Sequence, residues 1–256
     1  MPYVSVCDDR VFYSYHASEK AKAPHLVLVH GAGGNHRLWG YAVRSLPASN
    51  VYALDLPGHG RSGGAGRWTI ADYASVIDGF LNALQLERAV IAGHSMGGAT
   101  AIEVGLRHAH RVAGLVLVAT GARLRVLPDI LHGTLNAFED TVRFICATAY
   151  SSQVSPQLVR QGEREMLKVA PQTVHDDFAA CDAFDAMHEL DQLRCPTLVI
   201  CGTEDRLTPP KYAAFLAQTI PGAELKLIPG AGHMVIIEKP ELVAAAIADA
   251  VARWKL

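Results

Sequence analysis

Aromatic residues make up only 7% of this chain, and neither sign of charge prevails: 23 Lys and Arg against 25 Asp and Glu leave a formal net charge of −2. So even a balance supplies no long-range pull toward nucleic acid or an anionic membrane. No apolar run approaches the ~20 residues that a membrane-crossing helix needs. The opening Met1-Pro2-Tyr3-Val4-Ser5 also lacks the basic-then-apolar order of a secretory leader. Cysteine is sparse: Cys7, Cys146, Cys181, Cys195 and Cys201 are odd in number and irregularly spaced. That excludes a disulfide framework and predicts free thiols in a reducing, cytoplasmic compartment, with Cys201 packed in the core. There is no His-Glu-x-x-His, no paired Cys-x-x-Cys and no Gly-Lys-Ser/Thr, so the 12 histidines are not read as metal ligands, and neither a metal nor another cofactor is expected. His108 and His110, two apart, point to different faces and read as surface residues. No internal repeat or low-complexity linker appears.

What is present suits one globular unit with a full core, since half of the 256 residues are apolar. Strand-like runs such as Leu26-Val27-Leu28-Val29, Val51-Tyr52-Ala53-Leu54, Ala89-Val90-Ile91-Ala92 and Gly114-Leu115-Val116-Leu117-Val118 alternate with amphipathic segments between about residues 25 and 120. This is the pattern of an α/β fold: a mostly parallel central sheet flanked by helices. Thr69 with Asp72 forms a capping signal for a helix ending near Leu86, with Ile70, Tyr73, Ala74, Ile77, Leu81 and Leu84 inward and Asp78 on the solvated face. Pro240 and Glu241 open a last helix reaching about Arg253. The alternation fails over 122–190, where Pro128, Pro156 and Pro171 separate three or four short helices. The expected division is therefore a core of 1–121 and 191–256 with a helical insertion of 122–190.

The residues that carry chemistry stand at strand ends. Gly93-His94-Ser95-Met96-Gly97 follows one apolar run and precedes a helix-like one, the context in which a strained strand-to-helix turn exposes a serine hydroxyl. Serine is a poor nucleophile at neutral pH and needs a histidine base oriented by a buried carboxylate. After Pro196-Thr197-Leu198-Val199-Ile200-Cys201 comes Asp205, with Glu204 as its local rival. After Glu224-Leu225-Lys226-Leu227-Ile228 comes His233 on a glycine-rich loop. His30 and His94 read as packing or hydrogen-bonding groups beside the site, since His94, as the neighbour of Ser95, would point away from its hydroxyl. Gly58-His59-Gly60-Arg61-Ser62-Gly63 spells Gly-x-Gly-x-x-Gly with Asp78 about 20 residues on. In a dinucleotide site the glycines turn directly from strand into helix, whereas here Pro57 interrupts the turn and a loop continues, so no nucleotide site is expected.

With these residues in hand, the chain resembles the α/β-hydrolase family over almost its whole length. The order Ser95, Asp205, His233 is that family's order, and His30-Gly31-Ala32-Gly33-Gly34 and Asp55-Leu56-Pro57-Gly58-His59-Gly60-Arg61-Ser62 match two further motifs. The resemblance implies that Ser95, Asp205 and His233 are a catalytic triad and that the backbone N–H groups of Ala32 and Met96 form the oxyanion hole. It also implies that the insertion is a cap over the site, with Leu131, Leu135, Phe138, Phe144, Ile145, Phe178 and Phe184 as candidates for facing substrate. The implied activity is a serine carboxylesterase acting on small-molecule esters of small to medium acyl chain. A serine at position 95 departs from the epoxide- and haloalkane-hydrolysing relatives, which use a carboxylate. The same triad also serves enol-lactone hydrolases, carbon–carbon bond hydrolases of diketones, thioesterases and cofactor-free perhydrolases. From another class, a catalytically silent member would bind a small ligand instead.

Overall fold

Residues 26 to 29 are all apolar, and a run of that kind can be buried only if both of its faces are covered. The computed structural model, which describes residues 2–6, 8–20 and 23–254, provides this with helices on both sides of one sheet. Its strands are β1 (Tyr3–Val6), β2 (Asp9–His16), β3 (His25–Val29), β4 (Asn50–Leu54), β5 (Ala89–His94), β6 (Val112–Val118), β7 (Thr197–Gly202) and β8 (Glu224–Ile228). They lie in the order β1-β2-β4-β3-β5-β6-β7-β8. The β1–β2 and β2–β4 pairs are antiparallel and all the others are parallel. The mostly parallel sheet expected from the alternation is thus the observed one.

Period-two side-chain alternation sorts each central strand between two cores. Val27, Val29, Ile91, Leu115, Leu117 and Val199 face α2 (Ile70–Ala83) and α3 (Met96–Arg107). Leu26, Leu28, Val90, Ala92, Val116 and Leu198 face the opposite layer, where α10 (Pro240–Arg253) and the fully buried Trp39 pack. Edge strand β8 is exposed along Glu224 to Leu227, and its two charged residues guard the open edge.

The Thr69 hydroxyl caps α2 by accepting from Asp72 N–H at 3.1 Å. This helix stops at Ala83, earlier than the apolar pattern suggests, because Gln85 takes a left-handed φ of 55° that lets the buried Leu86 turn back toward the sheet. Asp78 is only partly solvated and pairs with Arg111 Nε at 3.3 Å. Between β6 and β7 runs a helical insert of α4 (Pro128–Asn136), α5 (Phe138–Ala149), α6 (Pro156–Met166) and α7 (Pro171–Ala183). Pro128, Pro156 and Pro171 each open a helix, where a missing N–H costs nothing. Among the described residues no helix is long and apolar enough to cross a membrane. Cys146, Cys181, Cys195 and Cys201 are unbridged, Cys201 lies buried in the core, and Cys7 falls outside the described residues.

Candidate active site

Strand β5 ends at His94, and the chain turns into α3 through Ser95, whose φ of 54° and ψ of −117° no unconstrained serine would adopt. Such a conformation costs on the order of 1–3 kcal/mol and persists only where its surroundings fix it. Here Ser95 N–H donates to the Val118 carbonyl at 2.9 Å, while the Ser95 carbonyl accepts from the Thr120 hydroxyl and the Gly98 N–H, each at 2.8 Å. The flanking glycines make the turn possible. A Cβ on Gly93 would lie 1.9 Å from the Gly97 carbonyl oxygen, and one on Gly97 would lie 2.3 Å from that of Val29.

The structure brings Asp205, not Glu204, to His233. His233 Nδ1 lies 3.0 Å from Asp205 Oδ2 and 3.2 Å from Oδ1, whereas Glu204 turns away to accept from the Ser152 amide and hydroxyl. Asp205 also accepts from the Leu207 and Thr208 amides at 2.9 Å and from the Thr208 hydroxyl at 2.8 Å. Burial works against its charge, but the His233 ring and the hydrogen bonds from His233 and Thr208 outweigh it and hold the carboxyl below the usual aspartate value. With an ionised acceptor at Nδ1, the hydrogen-bond network puts the proton on that nitrogen and leaves Nε2 as the basic atom. The His233 backbone is anchored as well, its N–H donating to the Ala149 carbonyl at 2.8 Å.

Two other histidines support the site without titrating in it. His94 is pushed down to about 3, first by burial and then by the neighbouring His233, so its ring is neutral and Nε2 donates to the His233 carbonyl at 3.0 Å. His30, held at about 4 chiefly by burial and next by His59, accepts from Leu56 N–H at Nε2 (3.0 Å) and donates from Nδ1 to the Gly31 carbonyl (2.8 Å). Met96 is the first residue of α3, where N–H groups have no intrahelical acceptor, and Ala32 lies in the loop after β3.

Ser95, His233 and Ala32 line one cavity of about 360 Å³ whose walls come mainly from the helical insert. Of the seven residues expected to face substrate, Phe144, Ile145 and Phe178 line it. Leu131, Leu135, Phe138 and Phe184 do not. Phe184 is buried in the core beneath, Leu135 is 48% exposed to solvent, and Leu131 and Phe138 pack half-buried on other faces of α4 and α5. Leu127, Ile130, Met166 and Tyr212 line it instead. Helical phase is the signal that separates Ile130 from Leu131, yet without knowing which face of α4 turns inward the sequence cannot choose. The dinucleotide-like glycines form no strand-to-helix turn. Asp55 there accepts from His36 N–H at 2.7 Å and Arg61 N–H at 2.9 Å, and so folds the loop on itself. Among the described residues no group of three or more His, Cys, Asp or Glu is placed to hold a metal ion.

A model of the alpha/beta hydrolase family matches residues 26–246. A pimeloyl-[acyl-carrier protein] methyl ester esterase of Neisseria meningitidis is 30% identical over 87% of this chain and 90% of its own length. The acetyltransferase component of an acetoin-cleaving system of Pseudomonas putida is 32% identical over 85% of this chain, which spans only 60% of that protein. Among solved structures, a thermophilic esterase is similar at a TM-score of 0.87 with 33% identity, over 98% of this chain and 97% of its own. An enol-lactonase of Burkholderia xenovorans superimposes at 0.91 with 25% identity, over 98% of this chain and all of its own. The sheet order, the serine on its strained turn and a family match over most of the length together make this chain a member of the alpha/beta hydrolase family.

Proposed function

We propose that the protein is a serine hydrolase that cleaves carboxylic esters of small to medium acyl chain through an acyl-enzyme. The observation that carries this reading is one cavity, largely apolar in its walls, onto which Ser95 and His233 both open, with His233 backed by a buried Asp205. Ser95 Oγ attacks the ester carbonyl as His233 Nε2 takes its proton. The same proton then goes to the departing alkoxide, and a water molecule repeats the cycle to release the acid. Asp205 holds the Nδ1–H tautomer and stabilises the imidazolium that forms. The Ala32 and Met96 amides meet the negative charge on the former carbonyl oxygen, a donor pair in which each is worth roughly 10²–10³ in rate. The residues complete these steps without a cofactor, and the domain limits are proposed as 122–190 for the cap over the remaining core.

The esterase relatives support the ester substrate, while the enol-lactonase neighbour favours a cyclic ester as second reading, since both present the same carbonyl to the same serine. A series of p-nitrophenyl esters of increasing acyl length, run beside an enol-lactone and a vinylogous diketone, tests this. Highest kcat/KM on an open-chain ester of short to medium acyl length is the expected result. Preference for the lactone would move the assignment to the second reading, and turnover of none of the three would overturn it.

A further inference from the structure

One fully buried carboxylate takes no part in the triad. Asp177, on α7 of the helical insert, reaches out of that layer to the loop after β3, where its Oδ2 accepts from the Gly33 N–H at 2.8 Å. The same oxygen lies 2.8 Å from His59 Nε2, and Oδ1 accepts from the Tyr73 hydroxyl, whose oxygen in turn accepts from Arg67 N–H at 2.9 Å. The other ring nitrogen of His59 is 3.0 Å from the Pro57 carbonyl oxygen. A carbonyl oxygen has no proton to give, so His59 Nδ1 donates. Both oxygens of Asp177 already accept, from the Gly33 N–H and the Tyr73 hydroxyl, so the carboxylate offers only an acceptor to His59; Nε2 donates as well and the ring is an imidazolium. Burial opposes that charge, yet Asp177, by its charge and its hydrogen bond, outweighs it and raises the His59 pKa. The other groups around the pair agree. His30, its ring centroid 4.8 Å from that of His59, is neutral; Asp55 adds negative potential; the Cys181 thiol, on the same helix as Asp177, is driven upward by burial.

Apart from Asp177 and from His30 Nδ1, which holds the Gly31 carbonyl at the start of the loop, no side chain among the described residues hydrogen-bonds the backbone of Gly31 to Gly34. Gly31, Ala32, Gly33 and Gly34 carry no side chain beyond one methyl group, Gly33 has a left-handed φ of 62°, and one internal bond, Gly34 N–H to the Gly31 carbonyl, closes the turn. We propose that Asp177, paired with a buried His59 imidazolium, is a positioning residue that clamps the Gly33 amide and thereby aims the neighbouring Ala32 N–H at the developing oxyanion. This rests on the serine-hydrolase reading above. It makes the seating of the insert and the stabilisation of the transition state one event, because the carboxylate belongs to α7 and the loop to β3. Loss of the clamp therefore lowers kcat while leaving ground-state binding in the apolar cavity nearly intact, since a misplacement of about 1 Å at a catalytic donor is enough to cost ~10²-fold.

Three measurements test it. Nitrogen NMR of the wild-type protein reads His59 directly: both ring nitrogens are expected to stay protonated at pH values above the ordinary histidine range, and a His59 that deprotonates within or below that range would overturn the ion pair without any variant having to fold. In steady-state kinetics on a p-nitrophenyl ester, Asp177→Ala is expected to lower kcat by about 10²-fold with KM changed less than about threefold, and to weaken a trifluoromethyl ketone inhibitor in the same proportion, as loss of an interaction made in the transition state requires. Asp177→Asn keeps a carbonyl for Gly33 and is expected to recover most of kcat. A folded Asp177→Ala with unchanged kcat and inhibitor affinity overturns the proposal, as does a loss confined to KM. Mass spectrometry of wild-type protein treated with a fluorophosphonate separates the two levels: without a label on Ser95 the serine-hydrolase reading itself falls, and with one the kinetic result judges Asp177 alone.

Discussion

At the scale of single residues, the site is a set of groups held in states they would not choose in water. Asp205 stays ionised despite its burial because three donors from the following turn and the His233 ring converge on it. Asp205→Asn is therefore expected to lower kcat/KM by about 10⁴-fold through the wrong histidine tautomer, while Glu204→Gln leaves it nearly unchanged; kinetics on the two purified variants decides. The buried histidines leave a signature on stability. His94 and His30 stay neutral in the folded protein down to about 3 and about 4, whereas in the unfolded chain they take up protons below the ordinary value of 6.5. Their contribution is thus fully present above pH 6.5 and is lost as pH falls toward the folded values. Each steepens the acid limb by up to ~1.4 kcal/mol per pH unit. Denaturant titrations between pH 7 and about 4 are expected to show a shallower slope for His94→Gln than for the parent. Ser95, Asp205 and His233 were legible as candidates because each follows a strand-like run, but Asp177 was not: it sits mid-helix in the insert, and only the tertiary fold brings it to Gly33.

At the scale of elements, the helical insert repeats the same lesson. Its proline-opened helices could be read in advance, since Pro128, Pro156 and Pro171 each occupy a first helical position. The start of α5 at Phe138 carried no such mark, as Ala137 offers no capping side chain. Composition showed that the insert's apolar residues must be buried, but not against what: of the candidates, Phe144, Ile145 and Phe178 line the cavity, whereas Leu131 and Leu135 do not and Ile130 and Leu127 do. Phe178→Trp, which fills part of a cavity of about 360 Å³, is expected to shift the preferred p-nitrophenyl ester to a shorter acyl chain. Leu135→Ser, on the solvent side, is expected to leave both chain preference and stability unchanged, the latter within about ±0.5 kcal/mol. A chain-length profile for each variant checks the pair.

At the scale of the whole molecule, two apolar layers sandwich a mostly parallel sheet, and this much follows from the alternation of strand and helix signals. Less visible in the sequence is how firmly the insert is joined to the sheet's functional edge. The end of α5 supplies the Ala149 carbonyl to His233 N–H, Arg206 donates to the Ala147 carbonyl at 2.7 Å, and a Cβ on Gly232 would meet Ser151 N at 2.6 Å. The elbow is equally intolerant of bulk: Gly93→Ala would drive a methyl group into the Gly97 carbonyl, and a destabilisation of at least ~1–3 kcal/mol is expected in denaturant unfolding. The central proposal is that Ser95 is the nucleophile of an ester-cleaving triad. Its most direct test is kcat for a p-nitrophenyl acyl ester, measured on the parent and on Ser95→Ala after circular dichroism has shown that the variant is folded. The expected fall approaches about 10⁶-fold; retention of more than about a tenth of the parent activity by the folded variant would contradict a nucleophilic Ser95, because even the residual catalysis left by a broken triad is far below that.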